Sequence, residues 1–190
     1  GCPQPHGDHV VVFARRPGRE MHVINTRTGQ LERSVQAGDG YHYYGHGVYS
    51  PDARLLYVTM NNYHTSAGLV RVYDAFDGYR QVADFDLQGI GPHELRLHPD
   101  GNTLIVALGG IETHPDYDRI KLNLDRMEPA LLLLDREKGL TLIGDNFTLR
   151  SAAAEFYVDH EAVETWYDHK HSVENRDHAL FKALASVVPQ

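Results

Sequence analysis

The chain has 190 residues, 42% of them hydrophobic and 23% charged, a globular balance that argues against disorder and leaves room for one domain or a little more. Its formal charge is −8, and the 18 Lys and Arg are scattered rather than gathered, so no nucleic-acid footprint is expected. The longest apolar runs, Ala130–Leu134 among them, are strand-length and far short of the roughly 20 residues that cross a bilayer, so no membrane span is expected.

At the N-terminus, Gly1 leads almost directly into a strand-like segment, and no signal peptide is legible. The single cysteine, Cys2, excludes an internal disulfide framework and a Cys-based zinc finger. It reads as a frayed terminal residue with no base beside it in sequence.

From there the chain repeats itself. Residues 9–36 predict three strands, residues 46–85 four, and residues 93–144 four more with a long internal loop. The turns Ser50-Pro51-Asp52 and His98-Pro99-Asp100-Gly101 each separate two apolar segments, and their prolines are 48 residues apart. Pro pre-sets the turn's φ, while Asp and Gly supply its hydrogen bond and left-handed corner. A second turn recurs as Asn25–Gly29, Asp74–Gly78 and Asp135–Gly139. The last spacing is lengthened by a polar insertion at Gly109–Pro129. A period near 48 with four short strands per unit predicts β-propeller blades.

The expected fold is therefore mainly β. It is an incomplete propeller of about two and three-quarter four-stranded antiparallel blades over residues 1–146, followed by a different segment over 147–190. In that tail Asp159 and Asn175 predict the caps of two helices, the second presenting Leu180, Phe181, Leu184 and Val188. Open blade faces carrying Val11, Phe13, Ile105 and Leu132 would favour self-association.

Several motifs carry a family resemblance. Phe13-Ala14-Arg15-Arg16-Pro17-Gly18, Tyr43–Ser50, Val72-Tyr73-Asp74-Ala75, Gly89–Leu95, Gly110–Asp116 and Lys121–Asp125 with Met127 and Pro129 resemble the bacterial family catalogued as domain of unknown function 1513. The resemblance spans residues 9 to about 140. It implies a propeller-like, exported, periplasmic protein encoded beside iron-uptake components, with no assigned activity. Members are longer, so the chain corresponds to the first part of one. In the tail, Glu155–Asp159, Glu161-Ala162, His169, His171 and Phe181 are similar to the end of antibiotic-biosynthesis-monooxygenase-like ferredoxin folds, which suggests a chimera or a truncated frame.

The 13 histidines are the compositional outlier. In a blade, the loop entering the innermost strand and the loop between the second and third strands share one face, where propellers bind ligands. That places His42 and His46 in one entering loop and His93 with Glu94 in the next. Asn61, Asn62 and His64 fall in one second-to-third-strand loop, and Glu112, His114 and Asp116 in the other. Gly45, Gly47, Gly89 and Gly91 flank His46 and His93 and permit close backbone approach. Imidazole and carboxylate together suit a transition metal such as iron, with His46, His93, Glu94 and His114 as ligands. His42, Asn61, Asn62, His64 and Asp116 would complete a binding rim. The plainer reading is that these histidines bond loop backbones and hold the blades in register.

Three functions compete. The first is a non-enzymatic binding or scaffold protein linked to iron or metal handling, with iron-uptake components as partners. The second is a metal-dependent hydrolase or oxidoreductase using the rim. The third is a truncated chimera without activity of its own. No Gly-x-Ser-x-Gly elbow or Walker-type phosphate loop is present to favour other chemistry.

Overall fold

A computed structural model of the chain describes residues 1–14, 18–114, 122–123 and 127–139. All of them belong to one compact unit, Gly1–Arg150. A second unit, Ser151–Gln190, lies outside the described residues, and so do the two expected tail helices. The described residues form eleven strands and no helix.

The strands make three antiparallel sheets. The first holds β1 (Cys2–Pro3), β2 (His9–Phe13), β3 (Glu20–Asn25) and β4 (Leu31–Gln36) in chain order. The second holds β5 (Tyr41–Tyr49), β6 (Leu55–Asn62), β7 (Gly68–Asp74) and β8 (Arg80–Asp86), again in order. The third holds β9 (Pro92–Leu97), β10 (Thr103–Leu108) and β11 (Ala130–Asp135). Strand β5 packs beside both β1 and β9, so the leading strands of the three sheets lie together.

The recurring turn has one chemistry. Asn25 Oδ1 accepts from Arg27 N and Thr28 N, Asp74 Oδ1 from Phe76 N and Asp77 N, and Asp135 Oδ1 from Glu137 N and Lys138 N. Each turn closes through a glycine at positive φ, Gly29, Gly78 or Gly139, a conformation that a Cβ would strain. The proline turns also match each other: Ala53 N donates to Ser50 O at 2.8 Å, and Gly101 N to His98 O at 2.9 Å.

Two apolar layers separate the sheets. Between the first and second lie Val11, Met21 and Val23 against Tyr43, Leu56, Val58, Met60, Leu69 and Tyr73. Between the second and third lie Tyr57, Val70 and Val72 against Leu95, Leu104, Val106, Leu132 and Leu134. The second sheet is therefore covered on both faces, and β7 is buried along its whole length. This explains why its sequence is more continuously apolar than that of β4, an outer strand exposed almost throughout.

Four expectations need correction. The first sheet does have a leading strand: Cys2 and Pro3 pair with Val11 and Val10. Cys2 is accordingly 4% exposed inside the core, not frayed. Strand β5 begins at Tyr41 rather than near residue 46, so His42 and His46 stand on a strand, as do His93 and Glu94 on β9. Finally, Val11, Phe13 and Leu132 face the neighbouring sheet. By alternation the outward faces carry Val10, Val12 and Ile24 on the first sheet and Ile105, Leu131 and Leu133 on the third.

Candidate functional site

The sequence-predicted residues separate into two groups. The first sits where β5 and β9 run side by side. Glu94 Oε1 lies 3.1 Å from His46 Nδ1 and also accepts from Leu95 N at 3.1 Å. Arg96 Nε stands 3.5 Å from the same oxygen. The His46 and His93 rings are 5.7 Å apart, centre to centre. Burial lowers the His46 pKa below its ordinary 6.5, and neighbouring His93 pushes the same way, while Glu94 opposes them. The carboxylate is thus already engaged by the His46 imidazole, the Leu95 amide and the Arg96 guanidinium. This trio ties the leading strand of the second sheet to that of the third.

The second group sits at one end of the sheets, where β5 begins, β6 ends, and the segment after β10 leaves the third sheet. His42 and Asn61 are cross-strand partners and are each only 1% exposed. The His42 ring stacks near Tyr44 at 5.7 Å and near Tyr63 at 6.5 Å. Tyr63 then meets His64 at 4.6 Å and, edge-on, His114 at 5.8 Å. The Arg19 guanidinium stands 5.9 Å from the centre of the Tyr63 ring, within cation–π range. Ser66 donates to Glu112 at 2.9 Å and joins the two loops directly.

Loop chemistry fixes this group. Asn62 Oδ1 accepts from His64 N and Thr65 N, so Asn62 shapes the turn that carries His64. Tyr63 N donates to Gly40 O, and Gly40 N donates to the Tyr63 hydroxyl. Buried Asn123 accepts from Glu112 N and donates to Gly110 O, which holds the segment leading to Thr113 and His114. Asp116 lies outside the described residues.

Two polar atoms in this region are orphaned. Asn61 Oδ1 and Thr113 Oγ1 are buried and have no hydrogen-bond partner, on residues 1% and 6% exposed. Leaving such a group unpaired costs about 1–3 kcal/mol, so two of them, one on β6 and one in the segment after β10, call for a physical reason. Asn61 was legible as a rim residue. Tyr63, Arg19 and Thr113 were not singled out, because a lone aromatic, cation or hydroxyl carries no local signature.

Among the described residues no group of three or more His, Cys, Asp or Glu is placed to hold a metal ion. His46, His93 and Glu94 adjoin one another, but His114 packs against Tyr63 in the other group. Nor is a nucleophile prepared at Cys2: burial pushes its thiol up to about 11.

The pattern of the family described as "Protein of unknown function (DUF1513)" matches residues 2–164. The chain belongs to that family. The DUF1513 match begins with β1 and continues beyond the last described strand. No curated protein matches the chain. Among solved structures it is similar to the hydrazine synthase of Kuenenia stuttgartiensis, at 14% identity over 70% of this chain and 44% of that one, with a TM-score of 0.36. It is also similar to a eukaryotic initiation factor, at 10% identity over 68% of this chain and 30% of that one, with a TM-score of 0.42. The DUF1513 chain thus spans less than half the length of either structure.

Proposed function

We propose that this DUF1513 chain is a non-enzymatic binding module whose three sheets are blades of a β-propeller. Its ligand, a small polar organic molecule, would sit at the junction of His42, Asn61, Tyr63, Thr113 and His114. The observation that carries the reading is the pair of buried, orphaned atoms, Asn61 Oδ1 on β6 and Thr113 Oγ1 in the segment that follows β10. A ligand donating to the amide oxygen and exchanging a hydrogen bond with the hydroxyl would remove both penalties. The propeller assignment is supported by leading strands gathered side by side, chain-order sheets and a repeated turn. A resident metal is not part of this reading. An exported location beside iron-uptake components rests on the resemblance set out above.

Native mass spectrometry of the chain, purified without an affinity tag, tests the reading. The expected result is a non-covalent small-molecule adduct that is lost in Asn61→Leu and in Thr113→Val. An adduct-free wild type, with both variants more stable than wild type, would show that the orphaned atoms serve no ligand.

A further inference from the structure

A second site is built at the opposite end of the first two sheets, where the β1–β2, β3–β4 and β7–β8 connections lie. A cleft of about 370 Å³ there is lined by Gln4, His9, Val23, Glu32, Arg33, Ala75, Phe76, Gly78 and Tyr79. Its size falls within the range of small-molecule sites. Its walls are of two kinds. Val23, Ala75, Phe76 and Tyr79 supply apolar surface, and Phe76 is 69% exposed although it is an aromatic residue.

The charged wall is unevenly satisfied. Glu32 accepts from Asn25 at 2.9 Å on one oxygen and faces His9 Nε2 at 2.7 Å on the other. The remaining ring nitrogen of His9 is 2.9 Å from Gln4 Oε1. The acid of the cleft is therefore engaged at both oxygens, and these bonds lower its pKa. Arg33 differs: among the described residues no hydrogen bond or ion pair reaches its guanidinium. That group lies face-on to Gly78, where a Cβ would sit 3.4 Å from Cζ and Nη1 and 3.5 Å from Nη2. The absence of a side chain at 78 leaves room for the guanidinium plane.

We propose that this cleft binds a small aromatic monocarboxylate, with the carboxylate on Arg33 and the ring against Phe76. A guanidinium fork matches a carboxylate in two parallel hydrogen bonds. The apolar wall accounts for the aromatic body, and the proximity of Glu32 favours one negative charge over the two of a phosphate monoester. The site is independent of the one at the other end of the sheets.

Saturation-transfer NMR on the chain, with phenylacetate and its neutral amide phenylacetamide as probes, tests this proposal. Phenylacetate should bind, and the amide should bind about tenfold more weakly or less, the loss expected for one charge-assisted contact. Arg33→Gln should abolish that preference, and Phe76→Ala should weaken both probes. Both positions are exposed, and an unchanged amide spectrum away from the cleft would confirm that each variant folds. Equal binding of acid and amide, full binding by Arg33→Gln, or no saturation by phenylacetate would overturn the proposal.

Discussion

At the scale of single residues, Arg71 does the most within the first inter-sheet layer. Its side chain is 5% exposed, yet it is fully employed. Two 2.8 Å bonds reach Asp84, a third reaches Ala37 O at 2.6 Å, and the guanidinium covers the Tyr41 ring at 4.5 Å. Burial works against its charge, but the Asp84 bonds outweigh that and raise its pKa. Arg71→Ala should cost about 3 kcal/mol, because it leaves a carbonyl and a carboxylate without their partner. Asp84→Asn should cost less, since Asp84 is 32% exposed and water can replace part of the bond. Urea denaturation of the two variants checks the order, and an equal loss would contradict it. His46 offers a second residue-scale test. Its imidazole should titrate below 6.5 by NMR, and Glu94→Gln should lower it further by removing the group that favours the cation.

Among the elements, the turns and the strand faces separate what was legible from what was not. The turn at Asp100 illustrates the first kind. Burial of its carboxyl is outweighed by bonds from Asn102 N and from the Thr103 hydroxyl and amide, so its pKa falls from 3.8 to about 2. A group depressed on folding stabilises above its unfolded value and loses that contribution as pH falls through its folded value. Thermal melts should therefore show an acid-sensitive component between about pH 4 and about pH 2 that Asp100→Asn reduces. Such turns were readable because Asx chemistry is local: the oxygen, the amides it caps and the following glycine lie within five residues. Strand faces were less readable. His9-Val10-Val11-Val12-Phe13 is apolar at every interior position, so no alternation tells Val11 from Val12. The structure puts Val11 at 0% exposure in the core, with Val12 on the outer side. Val11→Thr should cost about 1–3 kcal/mol by burying a hydroxyl, and Val12→Thr less than about 0.5 kcal/mol. The two residues of β1 gave no periodic signal at all. Tyr41–Tyr44 read as a loop because its polar His42 masks a strand whose partner, Asn61, is distant in sequence. The ends of the elements were enough to bring His42, Asn61, His64 and His114 to one rim, but the face of each strand decided which of them met.

At the scale of the whole molecule, the first and third sheets each present an apolar face among the described residues. Val10, Val12 and Ile24 on the first, and Ile105, Leu131 and Leu133 on the third, are all part-exposed and have no described sheet opposite. Apolar strand faces of that kind favour association. Light scattering across a concentration series should therefore give a mass rising above the 21.4 kDa of one chain. A constant single-chain mass would show that neither face drives association.

The double burial of β7 has a consequence for how the molecule opens. A strand with one covered face can lose its neighbour and survive, but β7 draws Leu69 and Tyr73 into one layer and Val70 and Val72 into the other. Its amides paired with β6 can reach water only when the middle sheet is released from both sides at once, whereas the edge strands β4 and β8 can fray alone. Protection against hydrogen exchange should thus rise from the outer strands toward β7, whose slowest amides would report the global unfolding free energy. The middle sheet behaves as a keystone, whose exchange rate measures the integrity of both layers that flank it.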